Sequence, residues 1–166
     1  MINYIAHNSI AQYDTIVKIK SSTTPNDMLR LDNQLCFALY STSLAMTKVY
    51  KPLLAELGLT YPQYLAMLVL WERDGLMVSE LGQKLYLDSG TLTPLLKRLE
   101  ASGYISRIRD VEDERRVYIT LTSAGRKLKT RAAKIPGCIL SASQCSVPEL
   151  MNLTGQVQAL RQQLIA

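Results

Sequence analysis

The clearest pattern along the chain is an apolar stripe of leucines at helical spacing, formed by Leu92, Leu95, Leu96 and Leu99. Residues that recur at steps of three and four lie on one face of an α-helix, so this face is predicted to be buried. Asp88 and Ser89 can cap the start of the helix, and Gly103 suits the left-handed position after its end. Pro94 removes one internal hydrogen bond, so a helix that starts at Ser89 should have a distorted first turn.

The segments on either side of this helix complete a winged helix-turn-helix. A short helix begins near Val78, and after Gly103 the pattern changes to two strands joined by a polar turn, Tyr104–Arg109 and Val117–Leu121. This order of helix, turn, helix and hairpin is typical of proteins whose second helix enters the major groove of double-stranded DNA. The predicted fold is therefore mainly α-helical with a two-stranded β-wing.

Three more helices are predicted before the helix-turn-helix. They are a long helix from Leu31 to Val49 that is ended or broken before Pro52, a short helix from Leu53 to Leu57 that stops at Gly58, and an apolar helix from Tyr64 to Glu72 that is capped by Thr60. Each boundary rests on a residue that starts or stops a helix rather than on the apolar pattern alone.

Two helices are predicted after the hairpin. Thr122 caps the first, from Ser123 to Lys134, which is halted by Pro136 and Gly137. Ser146 opens the last, in which leucine and valine recur at spacings of three and four. Terminal helices have no obvious partner within a small winged-helix unit, so we expect them to pack against the same helices of a second subunit. A two-fold homodimer of this kind matches a pseudo-palindromic DNA site.

The predicted domain organisation follows from these elements. Residues 1–25 show no sustained period and end in a run of Ser, Thr and Pro, so we expect a flexible N-terminal extension. Residues 26–166 are predicted to form one domain. The winged helix occupies about 60–122 of it, and N- and C-terminal dimerisation helices occupy about 27–58 and 123–166.

The distribution of charge favours DNA as the partner. The 19 basic and 14 acidic residues give a net charge of +5. The stretch from Lys97 to Arg131, with ten basic against five acidic residues, contributes all of this excess. By composition alone the hairpin tip is equally a solvated loop with internal salt bridges. Beside an amphipathic helix, a wing arginine can instead enter the minor groove, and Asp113 is placed to hold the guanidinium of Arg115 in line. The candidate DNA-binding residues are Ser89, Thr91, Thr93, Lys97, Arg98, Arg107, Asp113, Arg115 and Arg116.

Composition also narrows the compartment and the cofactor class. No stretch reaches the roughly 18 to 20 apolar residues that a membrane helix needs, and the first residues lack the layout of a signal peptide. A cytoplasmic protein with no membrane partner is therefore expected. Cys36, Cys138 and Cys145 contain no CxxC motif, and the single histidine is His7, so neither a zinc site nor any other cofactor is expected.

In its motifs the chain resembles the MarR family of winged-helix regulators, and within it the branch that senses organic hydroperoxides (OhrR). The resemblance covers about residues 28–165 and is carried by LDNQLCFALYS, YKPLL, LGLTYPQYLAMLVLWE, DSGTLTPLLKRLE and RDVEDERRVYITLT. It implies that Cys36 is a peroxide-reactive thiol and that Tyr50 and Tyr61 hydrogen-bond to it. It also implies that Phe37 and Tyr40 lie near an apolar pocket.

The residues themselves leave two interpretations of Cys36. A cysteine on an apolar helix is more often inert packing than a reactive thiol, and tyrosines near it can be ordinary core residues. In favour of reactivity, a phenol can donate to a thiolate and stabilise it while leaving the pocket apolar. A continuous helix would separate Cys36 from Tyr50 by fourteen residues, about 21 Å. Tyr50 should therefore meet the thiol of the other subunit, unless the helix folds back.

The resemblance has further implications for the wing and for a second thiol. It implies that Arg115 is the wing residue that enters the minor groove. Some members of the branch have a resolving cysteine near the start of the C-terminal region, where this chain has Ser141. Cys138 and Cys145 flank that position, so either one of them resolves the oxidised thiol or a small external thiol does so.

The sequence thus predicts a homodimeric transcriptional repressor, not an enzyme, that releases DNA when an organic hydroperoxide oxidises Cys36. Two alternatives remain open. One is a regulator of the same fold that is released by reversible binding of a small molecule. The other is a thiol peroxidase, which is disfavoured because no histidine or second catalytic pair assists turnover.

Overall fold

The computed structural model describes residues 25–113 and 115–165. The chain starts in this range with a four-residue helix, a 3-10 turn and two longer helices: α1 (Pro25–Met28), Leu31–Asn33, α2 (Leu35–Ala55) and α3 (Tyr61–Glu72). The winged part follows as β1 (Leu76–Met77), α4 (Val78–Leu85), α5 (Ser89–Ala101), β2 (Ile105–Arg109) and β3 (Val117–Leu121). Three helices complete the chain, namely α6 (Ser123–Ala132), α7 (Ile135–Ser143) and α8 (Val147–Ile165).

The described part of the chain divides into two units, and the division falls inside α2, between residues 45 and 46. In the first unit, the side-chain amides of Asn33 and Gln34 donate to the carbonyl oxygens of Asp27 and Met28, at 2.7 and 2.6 Å. These bonds tie the 3-10 turn to α1. The predicted N-terminal extension lies outside the described residues, except for Pro25, which begins α1.

The second unit contains the hydrophobic core. It is formed by the inner faces of α3, α4 and α5 and by the sheet, and its largest fully buried side chains are Leu54, Met67, Leu70, Leu76, Leu81, Leu92, Leu96, Leu99, Ile105, Ile119 and Ile135. The leucine stripe that predicted the amphipathic helix is fully part of this core. Burial of the stripe leaves the opposite face of α5 exposed.

The sheet has three strands, not the two that were predicted. Its order is β1-β3-β2, with antiparallel pairing throughout, and Leu76 lies opposite Ile119 while Ile105 lies opposite Leu121. β1 was missed because its two residues are too few to show an alternating pattern. The hairpin itself was predicted well, since β3 has the expected bounds and β2 begins one residue later than expected.

Three helix boundaries before β1 were predicted wrongly, and one of them is the start of α3 at Tyr61 rather than Tyr64. α2 begins at Leu35 rather than Leu31, because a 3-10 turn occupies Leu31–Asn33, and it continues through Pro52 to Ala55 without the predicted break. Pro52 is exposed, so the carbonyl that loses its internal partner can bond to water. Beyond the proline, Leu53 packs against the core and Leu54 is buried in it, and this packing favours continuation of the helix.

A further boundary was wrong after the hairpin. α6 ends at Ala132, and a new helix begins at Ile135, so Pro136 and Gly137 open α7 instead of standing in a loop. Proline fits the first turn of a helix because its missing N–H would have no partner there. The predicted cap of α6 is confirmed, since the Thr122 hydroxyl accepts the N–H of Gly125 at 3.0 Å.

Gly125 also explains how α6 approaches the wing so closely. A β-carbon at this position would lie 2.0 Å from the carbonyl oxygen of Tyr104. The same carbonyl accepts the N–H of Thr122 at 3.0 Å, and the carbonyl of Gly125 accepts the indole N–H of Trp71 at 2.9 Å. Only a residue without a side chain fits this junction between α3, α6 and the start of the wing.

Candidate DNA interface and thiol site

α5 presents a polar outer face over its buried leucines. The helix begins at Ser89 with Asp88 as its cap, and the Asp88 carboxylate accepts the N–H and the hydroxyl of Thr91, both at 2.9 Å. These hydrogen bonds lower the pKa of Asp88 below its ordinary value. Lys97 and Arg98 are exposed on the outer face, as predicted, together with Ser89 and Thr91.

Pro94 is accommodated within α5. The helix starts at Ser89 and passes through the proline, so the predicted longer helix is confirmed. The Thr93 side chain is half-buried, and its hydroxyl donates to the carbonyl oxygen of Ser89 at 2.7 Å. Gly103 follows the helix with φ +74°, the left-handed conformation that was expected after its end. The helix is thus capped at its start and ends in the expected turn, and its second half carries the basic side chains.

A cleft of about 430 Å³ lies between α4 and the start of α5. Its polar lining includes Ser79 and Gln83 of α4 together with Asp88 and Ser89. Ser79 and Gln83 were not among the predicted site residues. Their spacing of four residues on a helix that precedes the groove-reading helix is the signal that could have identified them.

The wing loop is shaped by two carboxylates. Asp110 accepts the N–H of Glu112 at 2.9 Å, and this bond is the first cause of its lowered pKa. Asp113 was predicted to hold the guanidinium of Arg115, and this detail is wrong. Asp113 accepts the backbone N–H of Arg115 at 3.1 Å and forms its side-chain ion pair with Arg116 at 3.4 Å. The tight turn makes the neighbouring backbone N–H the closer donor to the carboxylate.

Arg107 forms an ion pair with Glu100. Its backbone N–H donates to Glu100 Oε1 at 3.1 Å and its Nε donates to Glu100 Oε2 at 2.8 Å. The ion pair joins the end of α5 to strand β2, and the hydrogen bonds from Arg107 lower the pKa of Glu100. Arg107 was predicted to contact DNA and Glu100 was given no role, because a contact between a helix and a strand cannot be read from periodicity.

Tyr50 and Tyr61, which were predicted to act together, are in contact. Their ring centroids lie 4.8 Å apart, and Tyr64 adds a third ring at 6.0 Å from Tyr50. Burial, followed by the neighbouring phenols of Tyr61 and Tyr64, raises the pKa of Tyr50 to about 12. Burial also raises the pKa of Tyr61. Tyr64 was not predicted, although it lies three residues from Tyr61 on the same helix and therefore shares its face.

The residues of the predicted thiol site belong to two different units of the chain. Cys36, Phe37 and Tyr40 lie on the first turns of α2 and are exposed in the first unit. Tyr50 and Tyr61 belong to the second unit. The contact of Cys36 with these tyrosines therefore stays a prediction.

The other two cysteines lie in the C-terminal region of the second unit. Cys138 is half-buried in the first turns of α7, on the same helix as Ser141. Cys145 is half-buried in the loop between α7 and α8, and its thiol donates to the carbonyl oxygen of Ser143 at 3.3 Å.

No group of His, Cys, Asp and Glu in residues 25–113 and 115–165 is arranged to hold a metal ion. None of the helices in the same ranges has the length and apolar composition needed to cross a membrane.

The fold, the basic outer face of α5 and the β2–β3 wing are those of a winged-helix transcriptional regulator. A family profile described as transcriptional regulator SarA/Rot matches residues 48–132. The organic hydroperoxide resistance transcriptional regulator of Bacillus subtilis (strain 168) is 54% identical over 138 residues, which span 83% of this chain and 94% of that protein.

Solved structures agree with this class. Reduced AbfR bound to DNA has a TM-score of 0.71 and 35% identity, with 86% of this chain and 100% of that chain covered. AbfR, a protein of Staphylococcus epidermidis, was also solved with a disulfide formed, at a TM-score of 0.57 and 36% identity, over 84% of this chain and 92% of that one. The chain belongs to the MarR family of winged-helix regulators, in the branch of the organic hydroperoxide regulators.

Proposed function

We propose that this protein is a DNA-binding transcriptional repressor that is released from its operator when an organic hydroperoxide oxidises Cys36. The observation that carries the proposal is the contact between Tyr50 and Tyr61, two half-buried phenols that are protonated at neutral pH like any ordinary tyrosine. A protonated phenol donates a hydrogen bond and carries no charge, so it can stabilise a thiolate in an apolar pocket. The identity of 54% to a regulator named for organic hydroperoxide resistance supports the same substrate class.

DNA binding is supported by the outer face of α5 and by the wing. Lys97 and Arg98 are exposed and can contact bases or phosphates of the major groove, while Arg115 and Arg116 extend from the wing loop. The hydrogen bond of Asp113 to the backbone of Arg115 fixes that part of the loop without using the Arg115 guanidinium. We propose that this guanidinium enters the minor groove.

The working form is proposed to be a homodimer. α8 has no buried residue, although it carries exposed apolar side chains that include Val147, Met151, Leu153, Val157 and Leu164. The first half of α2 has exposed apolar residues too, among them Leu35 and Leu39. Apolar surface of this extent is typical of an interface. A two-fold pair would present two recognition helices to half-sites about 34 Å apart, one turn of DNA.

The dimer also bears on the thiol. Cys36 and Tyr50 lie on one continuous helix, fourteen residues apart, so the Tyr50 phenol is proposed to reach the Cys36 thiolate of the other subunit. Phe37 and Tyr40, one turn or less from Cys36, would supply apolar surface for the organic part of the peroxide. Each sensor would then need both subunits.

The chemistry proposed for Cys36 has two steps. The thiolate attacks the terminal oxygen of the hydroperoxide, and the S–O bond forms as the O–O bond breaks. The departing alkoxide takes a proton from water, which leaves hydroxide, and is released as an alcohol. Sulfur becomes a sulfenic acid and is oxidised by two electrons, while the peroxide is reduced. A second thiol then attacks this sulfur, forms a disulfide and releases water.

The second thiol is proposed to be Cys138 of the partner subunit. Cys138 is half-buried on α7, near the start of the helix and one turn from Ser141. Cys145 is the weaker candidate for this second thiol because its thiol is already hydrogen-bonded to the carbonyl oxygen of Ser143. A small external thiol is the remaining alternative.

The protein is proposed to act without enzymatic turnover and in the cytoplasm. The relatives described above are regulators, and a repressor needs only one oxidation event per release. Sustained consumption of peroxide in the presence of dithiothreitol would contradict this part of the proposal.

The decisive experiment measures operator binding before and after cumene hydroperoxide. The operator is a duplex selected from a random pool by the reduced protein. We expect the parent protein to lose the duplex after one equivalent of peroxide and to regain it with dithiothreitol. Cys36→Ser should bind the duplex equally well and stay bound, whereas the matched control Cys145→Ser should respond as the parent does. Release of Cys36→Ser by peroxide would refute the sensing role.

Two further measurements test whether the Tyr50 phenol speeds the oxidation of Cys36 and whether a reversibly bound ligand releases the DNA instead. Tyr50→Phe should slow the oxidation of Cys36 by about tenfold while leaving DNA binding unchanged, because one hydrogen bond to the thiolate is lost. Stopped-flow detection of the sulfenic acid gives this rate. Release of the unoxidised protein by a small aromatic acid would instead indicate a regulator controlled by reversible ligand binding.

A further inference from the structure

Tyr86 has an unusual backbone conformation in the turn between α4 and α5. Its φ of +55° and ψ of +39° lie in the left-handed region, where glycine or asparagine is usual and a bulky residue is rare. The side chain is 53% exposed, so it does not contribute to the core. An aromatic residue thus occupies a position where glycine would fit without strain.

The ring of Tyr86 is covered by a residue of the last helix. The guanidinium carbon of Arg161 lies 4.3 Å from the ring centroid, well within the range of a cation–π contact. Arg161 belongs to α8, a helix without buried residues. The contact therefore links the C-terminal helix to the helix-turn-helix.

The turn cannot move independently of its neighbours. The N–H of Leu87 donates to the carbonyl of Gly82 at 3.0 Å, and a β-carbon at Gly82 would lie 2.8 Å from the carbonyl oxygen of Leu87. The turn is pressed against α4, and Asp88 follows directly as the cap of α5. A displacement of Tyr86 would consequently shift the start of α5.

We infer that Tyr86 and Arg161 are a positioning pair for operator binding. Arg161 fixes the turn from α8, and the turn fixes the start of the recognition helix. The geometry of the C-terminal helix is thereby transmitted to the helix that reads DNA. This inference rests on the proposed function, since it assumes that α5 binds an operator.

The variants Tyr86→Gly, Tyr86→Phe and Arg161→Ala test the pair. Tyr86→Gly removes the ring and relieves the left-handed strain, so its resistance to urea should equal or exceed that of the parent, while its operator affinity falls about two- to fivefold. Tyr86→Phe keeps the ring face and should keep the parent affinity. Arg161→Ala should lose as much affinity as Tyr86→Gly. A residue that only supports the fold would lower stability and affinity together, and that result would overturn the inference.

Hydrogen exchange gives a second readout that does not need DNA. In Arg161→Ala the amides of residues 83–91 and of α8 should exchange faster than in the parent, whereas those of α3 should not change. Unchanged exchange in residues 83–91 would overturn the inference. If the parent bound no duplex, the proposed function would fail, and the exchange of residues 83–91 would still decide whether Arg161 holds the turn.

Discussion

Removing the Glu100 carboxylate should weaken operator binding although Glu100 itself is not expected to touch DNA. Its two oxygens accept the backbone N–H and the Nε of Arg107 at 3.1 and 2.8 Å, so this one side chain ties α5 to the wing. Without the tie, the wing is free to change its angle to the recognition helix. The wing would then have to be reordered when DNA binds.

The exposure of the two side chains sets the size of the expected loss of affinity. The Arg107 and Glu100 side chains are 29% and 36% exposed, between a surface pair and a buried one. Solvent screening therefore limits the contribution of the pair to about 1 kcal/mol, which corresponds to roughly fivefold in affinity. Glu100→Ala should lose more than Glu100→Gln, because glutamine keeps an oxygen that can accept the N–H of Arg107.

The assay is a titration of fluorescent operator at several salt concentrations. Plots of log affinity against log salt should be parallel for the parent and for Glu100→Gln, because no phosphate contact is lost. The exchanged pair Glu100→Arg with Arg107→Glu should recover part of the affinity. An unchanged affinity of Glu100→Gln, together with a slope that falls by about one in Arg107→Ala, would refute the tie and make Arg107 a phosphate contact.

The pH dependence follows from the sign of the pKa change. The pKa of Glu100 is lowered by the hydrogen bonds from Arg107, so the ionised form is favoured in the folded protein. Its contribution is complete above the ordinary pKa of a glutamate and is lost as the pH falls through the lowered value. The affinity ratio of the parent to Glu100→Gln should therefore be constant from pH 6 to 8.

The remaining predictions concern the wing and two glycines. Arg115→Ala should weaken operator binding about tenfold, and more than Arg116→Ala does, because the Arg116 side chain is already paired with Asp113. Equal losses of affinity in titrations at one salt concentration would contradict this prediction. Gly125→Ala should lower the free energy of unfolding by about 2 kcal/mol or more, since its β-carbon meets backbone, as urea denaturation would reveal. Gly137→Ala is the matched control, with nothing near its β-carbon, and should be neutral or slightly stabilising.

The sequence was most informative where one face of an element is buried. The leucine stripe and the Asp88 cap predicted the position of α5 correctly, because both signals are local to that helix. The same rules failed at Pro52, where packing of the following turn against the core outweighs the lost hydrogen bond. β1 was missed because two residues carry no period.

The resemblance named Tyr50 and Tyr61 as hydrogen-bond partners of Cys36. Their rings are in contact with each other, while their hydrogen bonds to Cys36 stay a prediction. The partner of Asp113 was wrong because the conformation of a short loop decides which arginine the carboxylate reaches. The contact of Tyr86 with Arg161 joins residues far apart in sequence, and neither carries a pattern that points to the other.

Because α8 has no buried residues, the amount of folded repressor should depend on how many copies a cell contains. An isolated helix of this length is marginal in water, so pairing with a second copy is expected to supply most of its stability. By mass action, dilution would then unfold the C-terminal helix and separate the subunits in one event. A cell with few copies would hold less folded repressor than its synthesis rate suggests. Repression would therefore rise more steeply than in proportion to expression.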